Sequence, residues 1–396
     1  MTSFDVIVIG LGAMGGAAAY HCAKRGLRVL GLDANPPCHA LGSSHGTTRA
    51  IRETYFEAPE YVPLVQRSYE LWADLERDFG HPLLTTTGAL YLAPKQSPLL
   101  RGVTAAADQF NLAYERLAPA QVADRFPGFK LPSDFAAVYE SRGGILQAEV
   151  CLKAHVELAR RLGADLRFGL AARKWRRTTG GIVVTTAAGE FEASNVILTL
   201  GPWACEALGD IELPLTGRRV TVVHFDAFDS SAYDAATLSV YFWATPQGVF
   251  AGFPHVDGEG VKVMRHDAGD VCTPATVRRE VSDSDVDEVA QFLDRYMPLA
   301  NRRVRRSYVC LYTMTPDNHF IVDRHPELPG LVYAGGFSGH GFKFAPVIGE
   351  ILADLTIDGA TDHPIGFLSA DRFRSPARVS AESRTNQSRD QKTGSD

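Results

Sequence analysis

Apolar residues fall along the chain in two rhythms. Residues 4–9 form a short apolar run with β-branched side chains, as expected of a strand buried in a parallel sheet, and residues 29–32 repeat the pattern. Between them Ala17, Ala18, Ala19 and Ala23 are helix formers with small faces that let a helix lie close to a sheet. Gly26 is placed to end that helix in a left-handed turn. Helical spacing returns over 61–75 through Leu64, Val65, Leu71, Trp72 and Leu75, and again over 105–117, 144–162, 286–297 and 344–355. Strands are predicted at 86–93, 181–187, 194–200, 309–312, 320–323 and 331–334, with an antiparallel set over 219–225 and 249–266. Residues 374–396 hold one large apolar residue, Val379, and cannot bury enough surface to offset the entropy of ordering, so a disordered tail is expected.

The junction between the first strand and the first helix reads Gly10-Leu11-Gly12-Ala13-Met14-Gly15, which fits G-x-G-x-x-G. In that pattern Gly10 allows the tight turn, Gly12 lets the backbone approach a pyrophosphate, and Gly15 permits close helix packing. The phosphates meet the open N–H groups of the helix start. Asp33, at the carboxyl end of the second strand, can accept hydrogen bonds from a ribose diol. Strand, glycines, helix, strand and acid occur in order, so a dinucleotide is indicated; FAD and NAD both satisfy the motif. The elements of this fold are split along the chain by β-rich insertions, and no internal repeat is seen.

Composition narrows the function classes. The chain has 396 residues, 45% hydrophobic and 22% charged, enough for two or three domain-sized units with a substantial core. Lys and Arg number 40 against 46 Asp and Glu, a formal charge of −6, which argues against general nucleic-acid binding. Cys22, Cys38, Cys151, Cys205, Cys272 and Cys310 show no C-x-x-C pair, so neither a metal site nor a disulfide scaffold is indicated. The start, MTSFDVIVIG, has no secretory pattern, and no apolar run reaches the roughly 18 residues needed to span a bilayer. A soluble cytoplasmic protein is expected.

Several separated segments then match one family. They are Gly10-x-Gly12-x-x-Gly15 with Asp33; Gly42-Ser43-Ser44-His45-Gly46-Thr47-Thr48-Arg49-x-x-Arg52; Tyr61-Val62-Pro63-Leu64; Val309-Cys310-Leu311-Tyr312-Thr313; and Gly336-Phe337-Ser338-Gly339-His340-Gly341-Phe342-Lys343-Phe344. Over residues 4–373 the chain resembles the monomeric sarcosine oxidase and N-methyltryptophan oxidase family of FAD-dependent amine oxidases. The resemblance implies an α/β (α+β) fold, with a Rossmann-like FAD-binding domain and an inserted antiparallel-sheet substrate domain, in the glutathione-reductase-like and D-amino-acid-oxidase-like style. The FAD-binding domain would comprise 1–85, 145–215 and 305–373, and the substrate domain 86–144 and 216–304.

The same resemblance implies roles. Cys310 would carry FAD through a thioether, Arg52 and Lys343 would clamp a substrate carboxylate, and Arg49 would lie near the flavin's reactive edge. Lys262 would assist the reaction with oxygen, where a fixed positive charge suits a developing oxygen anion. His266 and Tyr312 would line the substrate pocket, and Ser43, His45 and Thr48 the flavin side. Gly339 and Gly341 would let the backbone approach the flavin, with the following helix start supporting charge on its pyrimidine ring. One departure stands out: where sarcosine oxidases carry two tyrosines, this chain has Phe250-Ala251. The lost phenol opens space, with Phe242 and Trp243 expected to re-line it, so a substrate bulkier than sarcosine is expected. The implied reaction oxidises a secondary (N-methyl) amino acid to an imine, which hydrolyses to aldehyde and amine, while O2 becomes H2O2 in a monomeric enzyme. Alternatives are a FAD-dependent dehydrogenase, or an oxidase of cyclic imino acids or glycated amino acids. An NAD-dependent dehydrogenase leaves Cys310 and the GFSGHGFKF segment without a role.

Overall fold

In the computed structural model, which describes residues 3–207, 213–256 and 258–374, the two N-terminal apolar runs pair in parallel, Val6 opposite Val29 and Ile9 opposite Leu32. They form the middle of a sheet whose parallel strands lie in the order Leu331–Gly335, Gly189–Leu198, Ser3–Ile9, Val29–Asp33, Asp165–Phe168. Both faces are covered, which is why these strands read as continuous apolar runs. Val6 and Val8 pack under the helices Ala13–Lys24, Tyr61–Phe79, Ala148–Arg161 and Ala345–Ile357. Ile7, Ile9, Leu30 and Leu32 pack instead with Ile182 and Val184 of an antiparallel meander, Ala172–Arg177 and Ile182–Thr186, that continues from Gly189–Leu198. A Cβ on Gly349 would lie 2.6 Å from Ala17, so small residues set the approach of the first and last helices.

A second sheet runs Ala300–Met314, Thr216–Ala227, Val261–Arg265, Gly248–Phe253, Val240–Thr245, Ala89–Pro94, Phe135–Glu140, Glu115–Leu117. Its side chains alternate between two destinations. Tyr241, Trp243, Phe250, Val261 and Val263 bury against the helix Asp283–Tyr296 through Val289, Phe292 and Leu293. Phe242, Ala251, Phe253, Met264 and Cys310 share the other face, which turns toward the first sheet. A three-stranded sheet of Thr48–Ile51, Gly144–Gln147 and Leu84–Thr86 joins the two.

Three sequence expectations change. Residues 144–147 are a strand, not helix, because Gly144–Gln147 is claimed by ladders on both sides before the helix Ala148–Arg161 begins. The 105–117 helix is displaced: Ser97 caps a helix at Pro98–Gln109, and Glu115–Leu117 is an edge strand. The expected domain edge at 305 falls inside the strand Ala300–Met314, which pairs along Thr216–Ala227, so Cys310 belongs to the second sheet. The tail from 375 onward lies outside the described residues. Among the described residues no helix is long and apolar enough to cross a membrane.

Candidate active site

A cleft of about 810 Å3 opens between the carboxyl ends of the first sheet and the free face of the second. That is the upper range for a ligand pocket, at the place where open α/β sheets bind ligands. Its first end is built for phosphate and ribose. Gly10 has φ +89°, and a Cβ on Gly15 would sit 1.7 Å from the Gly10 carbonyl oxygen, so both positions demand glycine. The helix Ala13–Lys24 starts with no side-chain cap from Gly12, leaving N–H groups aimed at the cleft; the Ala13 N–H donates to Ser44 Oγ at 3.1 Å. Asp33 is fixed by accepting from the Leu11 and Asn35 N–H groups, each at 2.8 Å, and still lines the cleft. These residues fit a dinucleotide.

Further along, the alternation of Ala300–Met314 puts Tyr308, Cys310 and Tyr312 on the cleft wall. An Arg49 Nη2 lies 3.9 Å from Cys310 Sγ. The guanidinium is held there by donating to the carbonyls of Thr48 (2.9 Å), Ser43 (3.0 Å) and His45 (2.6 Å). Ser43 Oγ donates to the Leu311 carbonyl at 2.7 Å, tying this loop to the cysteine's strand. Lys262 is 2% exposed and donates to Thr48 through its carbonyl (2.9 Å) and Oγ1 (3.0 Å). Burial, reinforced by the charge of Arg49, pulls its pKa well below the usual lysine range.

The far end is apolar with a cationic corner. Phe242, Ala251 and Met264 form neighbouring pairs across three strands and line the cleft. His266 Nδ1 meets the Tyr312 hydroxyl at 3.1 Å, and burial lowers the imidazole to about 4, so it is neutral near pH 7. Buried Lys343 donates to the His340 carbonyl at 2.7 Å and lies 3.4 Å from the Tyr55 hydroxyl, which itself meets His340 Nδ1 at 2.6 Å. Gly339, at φ +80°, lets this loop pass the Tyr312 ring, which a Cβ would approach to 2.4 Å.

Among the expected site residues, Gly10, Gly12, Asp33, Ser43, Arg49, Lys262, His266, Cys310, Tyr312, Gly339, Gly341 and Lys343 border the cleft. Gly15, His45, Thr48 and Arg52 stand behind its lining. Arg52 is 0% exposed and grips Glu57 with two hydrogen bonds, 2.5 and 2.6 Å, while its guanidinium lies over Tyr55, Phe56 and Phe242. Burial pushes the Glu57 carboxyl up, but Arg52 overrides it and holds the group at about 2. Trp243 does not re-line the pocket as expected: one position from Phe242, it points to the opposite face and packs on Phe292 and Tyr296. Sequence reading missed Tyr55, Glu57 and the cleft-lining Trp203; for Trp203 the signal was present, since Gly201-Pro202-Trp203 follows a strand's carboxyl end.

A family model described as FAD dependent oxidoreductase matches residues 5–355. The chain belongs to the FAD-dependent oxidoreductase family. It is 40% identical over 376 residues to the monomeric sarcosine oxidase of Streptomyces avermitilis, covering 94% of this chain and 98% of that one. It is 33% identical over 374 residues to the N-methyl-L-tryptophan oxidase of Yersinia pestis, covering 94% and 100%. Among solved structures, the open form of NikD, an unusual amino acid oxidase essential for nikkomycin biosynthesis, superposes with a TM-score of 0.83 at 26% identity, covering 93% of this chain and 98% of that one. The family is FAD-dependent, which settles the choice that G-x-G-x-x-G left open, and the glycine turn and Asp33 at the first end of the cleft fit that dinucleotide.

Proposed function

We propose that this FAD-dependent oxidoreductase is an oxidase of secondary, N-methyl amino acids whose side chains are larger than that of sarcosine. The observation that carries the reading is the substrate end of the cleft, where the buried amine of Lys343 borders an apolar chamber opened by Ala251. Support comes from relatives named for sarcosine and N-methyl-L-tryptophan, two N-methyl amino acids of very different size.

FAD, when bound, supplies the two-electron acceptor and the route to oxygen. The chain's residues bind, orient and manage charge. Lys343 takes the substrate carboxylate, and Arg52 joins it by releasing one or both bonds to Glu57; two cations fix orientation as well as affinity. Their positive potential favours the neutral amine, the form able to give up electrons. His266, hydrogen-bonded to Tyr312, offers an uncharged polar edge to the substrate nitrogen. Loss of two electrons and a proton leaves the neutral amine as a protonated imine, which water converts to aldehyde and amine with release of that second proton. Lys262, its ammonium made more acidic by burial and by Arg49, stands where it can give a proton as O2 is reduced to H2O2. Cys310, on the cleft wall with the Arg49 guanidinium beside its sulfur, would be the residue that holds the flavin through a thioether. The enzyme acts as a monomer.

The test is peroxide release under air from a series of N-methyl amino acids of increasing side-chain size. We expect kcat/KM to rise from sarcosine toward aromatic or long aliphatic members. A maximum at sarcosine would contradict the size reading, and no peroxide from any member would contradict the reaction.

A further inference from the structure

On the oxidase reading, each reaction with oxygen takes up a proton beside buried Lys262. O2 takes two electrons and two protons; one proton accompanies the electrons from the reduced cofactor and the second must be delivered. Lys262, placed at that reaction, is buried, so its ammonium cannot be recharged directly from solvent. Beside it lies a cluster that the reaction described so far does not use.

His224 stands opposite Lys262 on one neighbouring strand and opposite Arg306 on the other. It is 2% exposed, and among the described residues neither ring nitrogen meets a partner at full hydrogen-bond geometry, the Glu259 backbone being an acceptor close by. The Tyr308 ring lies 5.8 Å away with its hydroxyl unpartnered, and the His45 ring lies 5.3 Å from Tyr308 with Nε2 unpartnered. Buried polar atoms are nearly always satisfied, so such a concentration of orphans marks a place for bound water. On the solvent side Glu259, 23% exposed, puts Oε2 at 3.7 Å from His224 Nδ1. Its two oxygens accept from Thr47 Oγ1 at 2.7 Å and from Arg306 at 2.8 Å. Thr47 precedes Thr48, whose carbonyl and hydroxyl hold Lys262.

We propose that Glu259 and His224 form the proton entrance for the oxygen reaction, with water held among His224, Tyr308 and His45 carrying the proton to Lys262. Lys262 gives a proton to the reduced oxygen and regains it through that water from His224 Nε2. His224 takes a replacement at Nδ1 from the Glu259 side, solvent restores Glu259, and the ring regains its tautomer by exchange with the same water. A neutral imidazole suits this task, and burial together with the charge of Lys262 keeps His224 neutral, at about 4. The charged and titratable groups facing it are Lys262, Glu259, Arg306, Tyr308 and His45.

The inference rests on the oxidase reading but is tested without a substrate. Holoenzyme is photoreduced without oxygen, then mixed with O2 in H2O and in D2O. In Glu259→Gln and His224→Asn, flavin reoxidation should slow about ten-fold or more, gain a solvent isotope effect, and recover partly with added imidazole. The rate of bleaching by an amine should not change. A crystal structure of the holoenzyme should show ordered water on His224 and Tyr308. Unchanged reoxidation in both variants, equal slowing of bleaching and reoxidation, or a dry cluster would overturn the entrance. A parent enzyme that no amine bleaches but that reoxidises fast after photoreduction would overturn the amine reading, and the same variants would still decide the entrance.

Discussion

At residue scale, the proposed preference for large substrates turns on Ala251. It pairs with Phe242 on one side and Met264 on the other, all three on the cleft face. Ala251→Tyr should fill the chamber and move preference toward sarcosine, read as a fall in kcat/KM for bulky N-methyl amino acids of about ten-fold or more. Discrimination by one side chain's volume in an apolar pocket is of that order. An unchanged preference would remove Ala251 from the account. The step from Phe242 to Trp243 shows what sequence alone leaves undetermined. Both are aromatic, but the pleat sends them to opposite faces, and the face is set by which partner strand each meets. Arg52 makes a similar point: its motif was legible, but its lock on Glu57 depends on how residues 52–57 turn back on themselves.

At the scale of elements, the strand Ala300–Met314 places Cys310, the proposed flavin attachment point, on the second sheet. Its pairing with Thr216–Ala227 holds Cys310 on the cleft wall opposite the dinucleotide-binding turn. Acid precipitation should keep the yellow colour with the parent protein, whereas Cys310→Ala should release it to the supernatant. Colour released from the parent would refute the thioether. The first strand, first helix and second strand were legible because continuous apolar runs and a glycine motif fix them locally. Residues 144–147 were not, because a short apolar segment ahead of a helix reads as its first turn unless the ladders with Thr48–Ile51 and Leu84–Thr86 are known. The same holds for Glu115–Leu117, an edge strand with no local signature.

At the scale of the molecule, burial has suppressed protonation of six imidazoles. His21, His45, His224 and His266 are lowered to about 4, and His155 and His340 to about 3, each mainly by burial. In the unfolded chain these groups titrate near 6.5. Below that value the unfolded state binds more protons, so stability is full above about 6.5 and is lost as pH falls toward the folded values. The melting temperature of the holoenzyme should therefore drop steeply between pH 6.5 and 4, while staying nearly level from 7 to 8. A flat profile across the acid range would show that these histidines have partners in solution.

The central claim joins both sheets in one reaction, and one measurement addresses it directly. Purified holoenzyme is mixed without oxygen with sarcosine, larger N-methyl amino acids, cyclic imino acids and glycated amino acids, and the flavin absorbance is followed. The account requires fastest bleaching by a larger N-methyl amino acid, then recovery of colour with peroxide when air is admitted. No bleaching by any N-methyl amino acid would contradict it.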